Sequence, residues 1–330
     1  MSHKTLGIIN KSLAPKKDKY NILTFDTHER YQSQLCKTGH NFYSFRYKDC
    51  KEWDNSYAEV PQNYYIMPPN SVMSGLNFDF ILSQSKFGQF QISQQLNETF
   101  DIPFISLEHT LPIPNWPDQQ LEAFKGMEGD INVFISEYSV AQWGVQRESK
   151  VIHHSVDVET FCDSPDKERQ PHVLSVVNDF ANRDYCCNYG GWQRITDGMN
   201  IKLVGNSPGL SEPASSIQDL ANEYQTAQVF LNTSTISPVP TSLLEAMSCG
   251  CPVVTTATCM IPDIIKNGVN GFISNDESEL ASYINQLLED KELRNSMGQE
   301  ARKTIVDNFS EEKFINNWNE IFDKAYGVKK

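Results

Sequence analysis

The sequence predicts an α/β protein built from two doubly wound domains, and three observations carry that expectation. Short apolar runs recur with spacers of helical length between them, and they fall into two series separated by a polar stretch. A chain of 330 residues, 39% hydrophobic and 21% charged, is also long enough for two cores and excludes disordered or collagen-like order. The first series is Ile22 to Phe25, Tyr64 to Met67, Phe78 to Leu82, Phe104 to Leu107, Val133 to Ile135 and Val151 to His153. The second is Val173 to Val177, Ile201 to Val204, Val229 to Leu231, Val253 to Thr255 and Gly271 to Ile273. Such unalternated runs are the pattern of strands covered on both faces, and helical spacers then give parallel βαβ units.

The polar, aperiodic stretch CDSPDKERQP, Cys162 to Pro171, marks the expected boundary. The domains are then 1–162 and 163–309, followed by a terminal helix over 310–330. Asp276 with Glu279 forms a capping box ahead of Leu280, Ile284, Leu287 and Leu288. Ser310 caps the last helix, whose Phe314, Trp318, Ile321, Phe322 and Ala325 share one face that must be buried.

Net charge is −14, from 28 basic and 42 acidic residues, which disfavours broad binding to nucleic acid or anionic membrane. The charge is uneven: residues 1–51 carry ten Lys/Arg against four Asp/Glu, whereas residues 161–330 carry 14 against 23. A solvated basic face explains the N-terminal excess, and peripheral membrane contact through that region stays open. No apolar run is long enough to span a bilayer and no signal-peptide core is seen, so a cytoplasmic location is expected. The eight cysteines include no CxxC pair and are expected as reduced, mostly buried thiols. His153 and His154 lie adjacent on an extended stretch and point apart, which makes joint ligation of a metal awkward.

The most informative segment runs from Asn232 to Thr256, NTSTISPVPTSLLEAMSCGCPVVTT. A strand ends at Asn232, a loop stiffened by Pro238 and Pro240 follows, and Thr241 or Ser242 caps a helix that Gly250 terminates. The amides of Val239, Thr241 and Ser242 are left to face a ligand, and a helix N-terminus of this kind suits phosphate oxygens. Glu245, on the first turn, suits the two hydroxyls of a ribose; complementing the helix dipole is its alternative role.

TSLLEAMSCGCPVVTT, followed by IPDIIKNGVNGFI, resembles the nucleotide-sugar-binding half of family-4 retaining glycosyltransferases of the GT-B fold. That family carries two Glu residues in a pattern like EGFGLPLLEAMACGCPVV; here the second is Glu245, and the first is replaced by Ser237. VIHHSVDVETF, NVFISEYSVAQW and IPFISLEHTLP resemble other family segments in chain order. The resemblance implies two Rossmann-like domains facing across a cleft, with the C-terminal helix crossing back onto the first. It implies a metal-independent transferase that takes a sugar from a nucleoside diphosphate sugar and retains anomeric configuration, with no cofactor. No DxD pair flanked by apolar strand residues is evident, which agrees.

Carried over residue by residue, the resemblance gives Glu245 the donor ribose and places Ser237 at the transferred sugar or leaving phosphate. Pro240, Val239, Thr241 and Ser242 form the phosphate loop. The family's basic pair after the first strand of the second domain is absent from SVVNDFANRDYCCNYGGW, where Arg183 is the nearest cation, Asn178 lies near a family position and Gly205 follows the next strand. Guanidinium binds phosphate bidentately; a salt bridge to Asp179 or Asp184 is the competing role of Arg183. His109 ends a first-domain strand and would orient the donor sugar; read alone, it is a satisfied loop histidine.

Where the family has a Gly-rich turn, this chain has Thr27, His28, Glu29, Arg30 and Tyr31, expected to face the acceptor, with Asp26 or Thr27 as helix cap. Ser83, Gln84 and Lys86 end another strand and are weaker acceptor-side candidates. The acceptor itself is unidentified. Two rival readings are a transferase acting on modified DNA bases and a catalytically silent nucleotide-sugar-binding protein in which Ser237 has replaced a functional Glu. The absence of GxGxxG after the first strand and of GxxxxGK[ST] disfavours a Rossmann dehydrogenase and a P-loop NTPase.

Overall fold

Two all-parallel sheets organise the chain in the computed structural model, which describes residues 18–47, 50–70, 77–114 and 116–328. Of the ten basic residues behind the expectation of membrane contact, Lys4, Lys11, Lys16, Lys17 and Lys48 lie outside the described residues. No described helix is long and apolar enough to cross a membrane.

The first sheet has seven strands: β1 (Asn21–Thr24), β2 (Asn41–Ser44), β3 (Tyr64–Ile66), β4 (Phe80–Ser83), β5 (Phe104–Glu108), β6 (Ile131–Phe134) and β7 (Ser149–Val151). Their order is β3-β2-β1-β4-β5-β6-β7, so the strand sequence reverses between β1 and β4. The helices of this unit are α1 (Glu29–Cys36), α2 (Gln89–Phe100), α3 (Asp118–Lys125) and α4 (Glu137–Trp143). The apolar-run reading locates six of these strands and passes over β2. Its sequence NFYS has only two central apolar residues, and its Ser44 is buried by bonding to Asp26 rather than by apolar character.

The second sheet, ordered β12-β11-β10-β8-β9, comprises β8 (Gln170–Val176), β9 (Ile201–Val204), β10 (Ala227–Asn232), β11 (Val253–Thr255) and β12 (Phe272–Ile273). Between and after them lie α5 (Asp184–Cys187), α6 (Tyr189–Ile195), α7 (Ile217–Thr226), α8 (Thr241–Ser248), α9 (Ile261–Ile264), α10 (Glu277–Glu289) and α11 (Lys291–Asn308). The chain ends in α12 (Glu311–Val328). Asp276 caps α10 as its sequence indicates, its carboxylate accepting from the Ser278 and Glu279 amides.

Compactness divides the chain into one unit that runs to His153 and resumes at Glu312, and another over His154–Glu311. The division falls before the polar stretch at Cys162 to Pro171 because Val156 and Phe161 already pack in the second unit's core. There the Val156 amide donates to Phe309 O at 3.0 Å, and the Phe161 ring meets Tyr224. Polarity marks a surface segment; it does not say which core the flanking apolar residues join.

The last helix belongs to the first unit. Phe314, Trp318, Ile321, Phe322 and Ala325 are all buried there among Tyr20, Tyr31, Phe42 and Phe80. Trp318 Nε1 donates to the Tyr31 hydroxyl at 3.0 Å, and Phe322 stacks on Phe80 with centroids 5.9 Å apart. Each such side chain removed from water contributes on the order of 1.5–3 kcal/mol, so α12 completes this core. Trp318→Ala is expected to cost about 3–5 kcal/mol, read by chemical denaturation followed through a first-unit probe.

A buried histidine ties the same helix to the sheet. The Tyr20 amide donates to His40 Nδ1 at 3.3 Å, which fixes Nδ1 as the unprotonated nitrogen, and Nε2 then donates to Asn319 Oδ1 at 3.1 Å. Burial lowers the His40 pKa below its ordinary 6.5, outweighing the Asn319 bond and the nearby carboxylates. The unfolded chain therefore binds the proton more readily. Stability is expected to fall as pH drops below 6.5, and a His40→Gln variant should flatten that acid limb in denaturation curves.

Candidate functional site

Ligands of open parallel sheets bind beyond the strand C-termini where the strand order reverses. In the second unit that point lies between β8 and β10. Residues 177–183 leave one strand and residues 233–240 the other, which brings together the segments holding Asn178, Arg183, Ser237, Val239 and Pro240. The two segments are bonded directly. Cys186 O accepts from the amides of Thr235 at 2.8 Å and Ile236 at 3.2 Å, and Cys187 O accepts from the Thr233 hydroxyl at 2.8 Å. From the other side Ser234 O accepts the hydroxyls of Thr256 at 2.5 Å and Thr258 at 2.9 Å.

The loop enters α8 at its N-terminus. Pro240 occupies the cap position and contributes no side-chain bond, so neither Thr241 nor Ser242 is the cap; they are the first two helical residues. Proline fits there because its fixed φ and missing N–H suit a helix start. Leu243 and Leu244 donate to Pro240 O, whereas among the described residues the amides of Val239, Thr241 and Ser242 donate to no backbone carbonyl. Val239 is buried, Ser237 and Ser242 are half-buried and Thr241 is exposed.

Glu245 lies one turn further in than the first turn, as the fifth residue of α8, and is buried. Its Oε2 accepts the Tyr224 hydroxyl at 3.0 Å. Tyr224, on α7, is a partner that local sequence does not disclose, since it lies 21 residues away. The end of α8 is fixed by a reciprocal pair: Cys251 N donates to Ala246 O and Gly250 N to Met247 O, both at 3.0 Å, with Gly250 at φ +64°.

Arg183 is exposed and precedes α5; among the described residues it makes no ion pair with Asp179 or Asp184 within 4.0 Å. Asn178 Oδ1 accepts the Asn206 amide at 2.8 Å, joining the turns after β8 and β9. Gly205 sits at that junction with φ +130°, and a Cβ there would lie 2.2 Å from Val177 O. Among the described contacts, Asn178 and Gly205 thus shape the bank rather than reach outward.

In the first unit the reversal lies between β1 and β4. His109 follows β5 directly and is buried, its ring packed edge-on against His28 (4.3 Å) and Tyr31 (4.5 Å). His28 is exposed and occupies the N-cap of α1 without a side-chain cap bond, in place of the expected Asp26 or Thr27. Asp26 is instead engaged by Ser44 and Tyr64, which donate to its Oδ1 at 2.6 and 2.7 Å. Although the residue as a whole is exposed, desolvation of its ring by packed neighbours such as His109, followed by the Lys51 charge, lowers the His28 pKa.

Thr27 and Arg30 are half-buried at the surface, but three acceptor-side candidates turn inward. Glu29 is buried, pairs with Lys51 Nζ at 2.6 Å and accepts the Asp54 amide. Tyr31 is buried under Trp318. Lys86 is 1% exposed; its ammonium donates to Phe124 O at 3.1 Å and to Met127 O, and lies over the Trp143 ring. Burial lowers the Lys86 pKa. Ser83 and Gln84 are buried with it, and Gln84 Nε2 donates to Gln32 Oε1 at 2.6 Å. The Glu29 carboxylate, the Lys86 ammonium and Gln84 Nε2 are consumed by internal bonds, which is how buried charge and amide are tolerated, whereas Ser83 Oγ and Gln84 Oε1 are buried without a partner among the described residues.

Gly205→Ala is expected to destabilise the second unit by about 1–3 kcal/mol, measured by chemical denaturation, because a methyl group cannot share the space of the Val177 carbonyl.

Residues 213–304 match the family "Glycosyl transferases group 1". N-acetyl-alpha-D-glucosaminyl L-malate synthase of Bacillus anthracis is 37% identical over 82 residues, covering 24% of this chain and 22% of that protein. Spore coat protein SA of Bacillus subtilis is 29% identical over 111 residues, 32% of this chain and 29% of the relative. The chain therefore aligns with less than a third of either curated relative. Among solved structures, sucrose-phosphate synthase from Thermosynechococcus elongatus superposes with a TM-score of 0.74 at 14% identity, covering 94% of this chain and all of that one. Anabaena HepE in complex with UDP and glucose gives 0.71 at 16% identity, covering 92% and 100%. The segment that contains α8 and Glu245 is thus similar to the glycosyl transferases group 1 family, and the two parallel-sheet units have the fold of GT-B proteins.

Proposed function

We propose that the chain transfers a sugar from a nucleoside diphosphate sugar to a hydroxyl acceptor with retention of anomeric configuration. The observation that supports this most is the junction of the 233–240 loop with α8, where three amides and the carboxylate of Glu245 lie within the segment that matches the family. In this reading Glu245, oriented by Tyr224, holds the ribose diol. The amides of Val239, Thr241 and Ser242 hold the diphosphate, with Pro240 fixing the loop and Asn178 and Gly205 shaping the opposite bank. Arg183 supplies the cation that the family's basic pair supplies elsewhere. Ser237 contributes a hydroxyl to the leaving phosphate.

Fixed amides and a guanidinium stabilise charge as it develops on the departing diphosphate, so the reaction proposed needs no metal. No carboxylate stands out as a glycosyl nucleophile. A front-face displacement follows: the anomeric carbon–phosphate oxygen bond breaks, the acceptor oxygen bonds on the same face, and the acceptor proton passes to the departing phosphate. In the first unit His109 is proposed to act on the transferred sugar, with Thr27, His28 and Arg30 on the acceptor side. The inward-facing Glu29, Tyr31 and Lys86 serve the scaffold.

UDP, present with HepE in its solved complex, is the first donor nucleotide to test, followed by GDP and ADP. Purified protein is expected to gain thermal stability with one of these nucleotides or its sugar and to release nucleotide when an acceptor is supplied. Glu245→Ala should weaken donor binding by about 10- to 100-fold, the loss of one or two charge-assisted hydrogen bonds. Unchanged binding in that variant overturns the donor assignment. Activity should survive chelation by EDTA; loss restored by a divalent cation would overturn the metal-independent reading. Binding without transfer to any acceptor would support a silent nucleotide-sugar-binding protein, the reading that Ser237 favours.

A further inference from the structure

Three aromatic rings meet on the surface of the first unit. Phe87 follows β4, Trp116 lies in the loop after β5 and Phe124 is on α3. Their centroids are 5.7 Å (Phe87–Trp116), 5.0 Å (Phe87–Phe124) and 4.8 Å (Trp116–Phe124) apart. Phe87 is 39% exposed, Trp116 and Phe124 are half-buried, and α3 buries none of its eight residues. Since β4 lies between β1 and β5, the rings stand on the strand edge that also carries Thr27, His28 and His109.

We propose that these rings form a platform for a neutral pyranose, and that the acceptor of the transfer is a saccharide stacked on Trp116 and Phe87. A pyranose presents C–H groups on its faces and hydroxyls around its rim. The partly positive C–H groups are attracted to the negative face of an aromatic ring. That this sugar is the acceptor rests on the transferase reading above; the stacking site does not.

Buried polar groups hold the rings in place. Lys86, next to Phe87, donates its ammonium protons to Phe124 O at 3.1 Å and to Met127 O, which ties the end of β4 to the end of α3. Glu108 is 1% exposed; its Oε2 accepts the Lys86 amide at 2.8 Å, and its Oε1 accepts the amide and hydroxyl of Thr110 at 2.8 and 2.6 Å. The buried Trp143 ring lies 6.5 Å from Trp116 and 5.2 Å from the ammonium, and its Nε1 donates to Thr110 O at 2.9 Å. Pro112, Pro114 and Pro117 further restrict the loop that carries Trp116. Burying an ammonium and a carboxylate is costly. Here both fix the two turns from which the rings project, so a ligand meets a surface that is already ordered.

The charges of the two turns and α3 select the occupant. Lys86 and Glu108 are used internally and Glu122 pairs with Lys125 at 3.1 Å, which leaves the exposed Asp118 as the carboxylate of α3 outside an ion pair among the described residues. A carboxylate there repels phosphate headgroups and accepts sugar hydroxyls. Ser85 Oγ accepts the Phe87 amide at 3.0 Å and keeps its own proton to donate, and Thr110 is exposed. Aromatic faces with a few hydrogen-bonding groups at their margin match a sugar, whereas an alkyl chain gains nothing from that margin.

The test mixes the full-length chain, without nucleotide, with methyl pyranosides of glucose, galactose, mannose and N-acetylglucosamine and with maltose and cellobiose. Magnetisation is transferred by NMR from the aromatic protons of the protein. Transfer to the ring C–H protons of at least one of these sugars is expected. Its affinity should fall about tenfold in Trp116→Ala and in Phe87→Ala, the scale of one central ring lost from a contact, whereas Trp116→Phe should keep most of it. Thermal denaturation checks that each variant is folded; Phe87, at the surface, keeps the test open should Trp116→Ala not fold. No transfer to any of the sugars overturns the proposal, whether or not choline or phosphatidylcholine vesicles bind instead. Sugar binding that both alanine variants leave unchanged overturns it equally. In a second arm, the sugar that binds is added with each nucleotide sugar that stabilises the chain, and faster nucleotide release is expected. Unchanged release overturns the acceptor assignment alone. If no nucleotide sugar stabilises the chain, the donor reading fails and the acceptor assignment falls with it, while the NMR result still decides the platform.

Discussion

Parallel pairing is the constraint on which the rest of this molecule depends. A parallel neighbour must be reached by a crossover, so helices cover both faces of each sheet and every strand ends at the same edge. In the second unit, β8 and β10 are neighbours whose successors lie on opposite sides, which leaves the turn after β8 beside the loop after β10. Loop backbone so placed still needs hydrogen-bond partners. The carbonyls of Cys186 and Cys187 supply them on one side and the hydroxyls of Thr256 and Thr258 on the other. The position of Ser237, and the relation of Arg183 to it, follow from that bonding.

The glycines and the packing of α8 belong to the same logic. Gly250 takes the left-handed conformation that ends the helix. A Cβ on Gly298 of α11 would fall 2.2 Å from Gly250 O, so the two backbones meet where side chains would hold them apart. Arg169 and Arg302 bond the carbonyls exposed at this end of α8, Arg169 reaching Cys249 O and Gly250 O at 2.9 Å and Arg302 reaching Ser248 O at 2.5 Å. A helix anchored at its C-terminus in this way holds its N-terminal amides on a rigid support.

In the first unit, burial separates scaffold from surface among residues that look alike in sequence. Lys86, Glu29 and Tyr31 are polar and sit after strand ends, yet each is spent on an internal partner. The partners come from distant stretches: Phe124 and Met127 for Lys86, Lys51 for Glu29, and Trp318 on the terminal helix for Tyr31. His28 and His109, equally unremarkable in composition, come together as a ring pair at 4.3 Å.

Strand rhythm, the glycine-terminated end of α8, the Asp276 cap and the buried face of α12 were legible in the sequence because each is set by local periodicity or by a capping residue. The strand β2 was not, since Ser44 is buried through its bond to Asp26 and not by its own hydrophobicity. The motif around Glu245 marked out α8 because backbone geometry there demands particular residues: a proline at the start and a glycine at the end. Tertiary structure alone decided that Pro240 and not a hydroxyl residue takes the cap position, that Glu245 is held by Tyr224, and that Val156 and Phe161 join the second core. It alone set Cys186 against Cys187 and Arg183 under the loop to Ser237. Those outcomes depend on partners brought together by the crossovers, and a local pattern carries no record of which distant group will satisfy a buried polar atom.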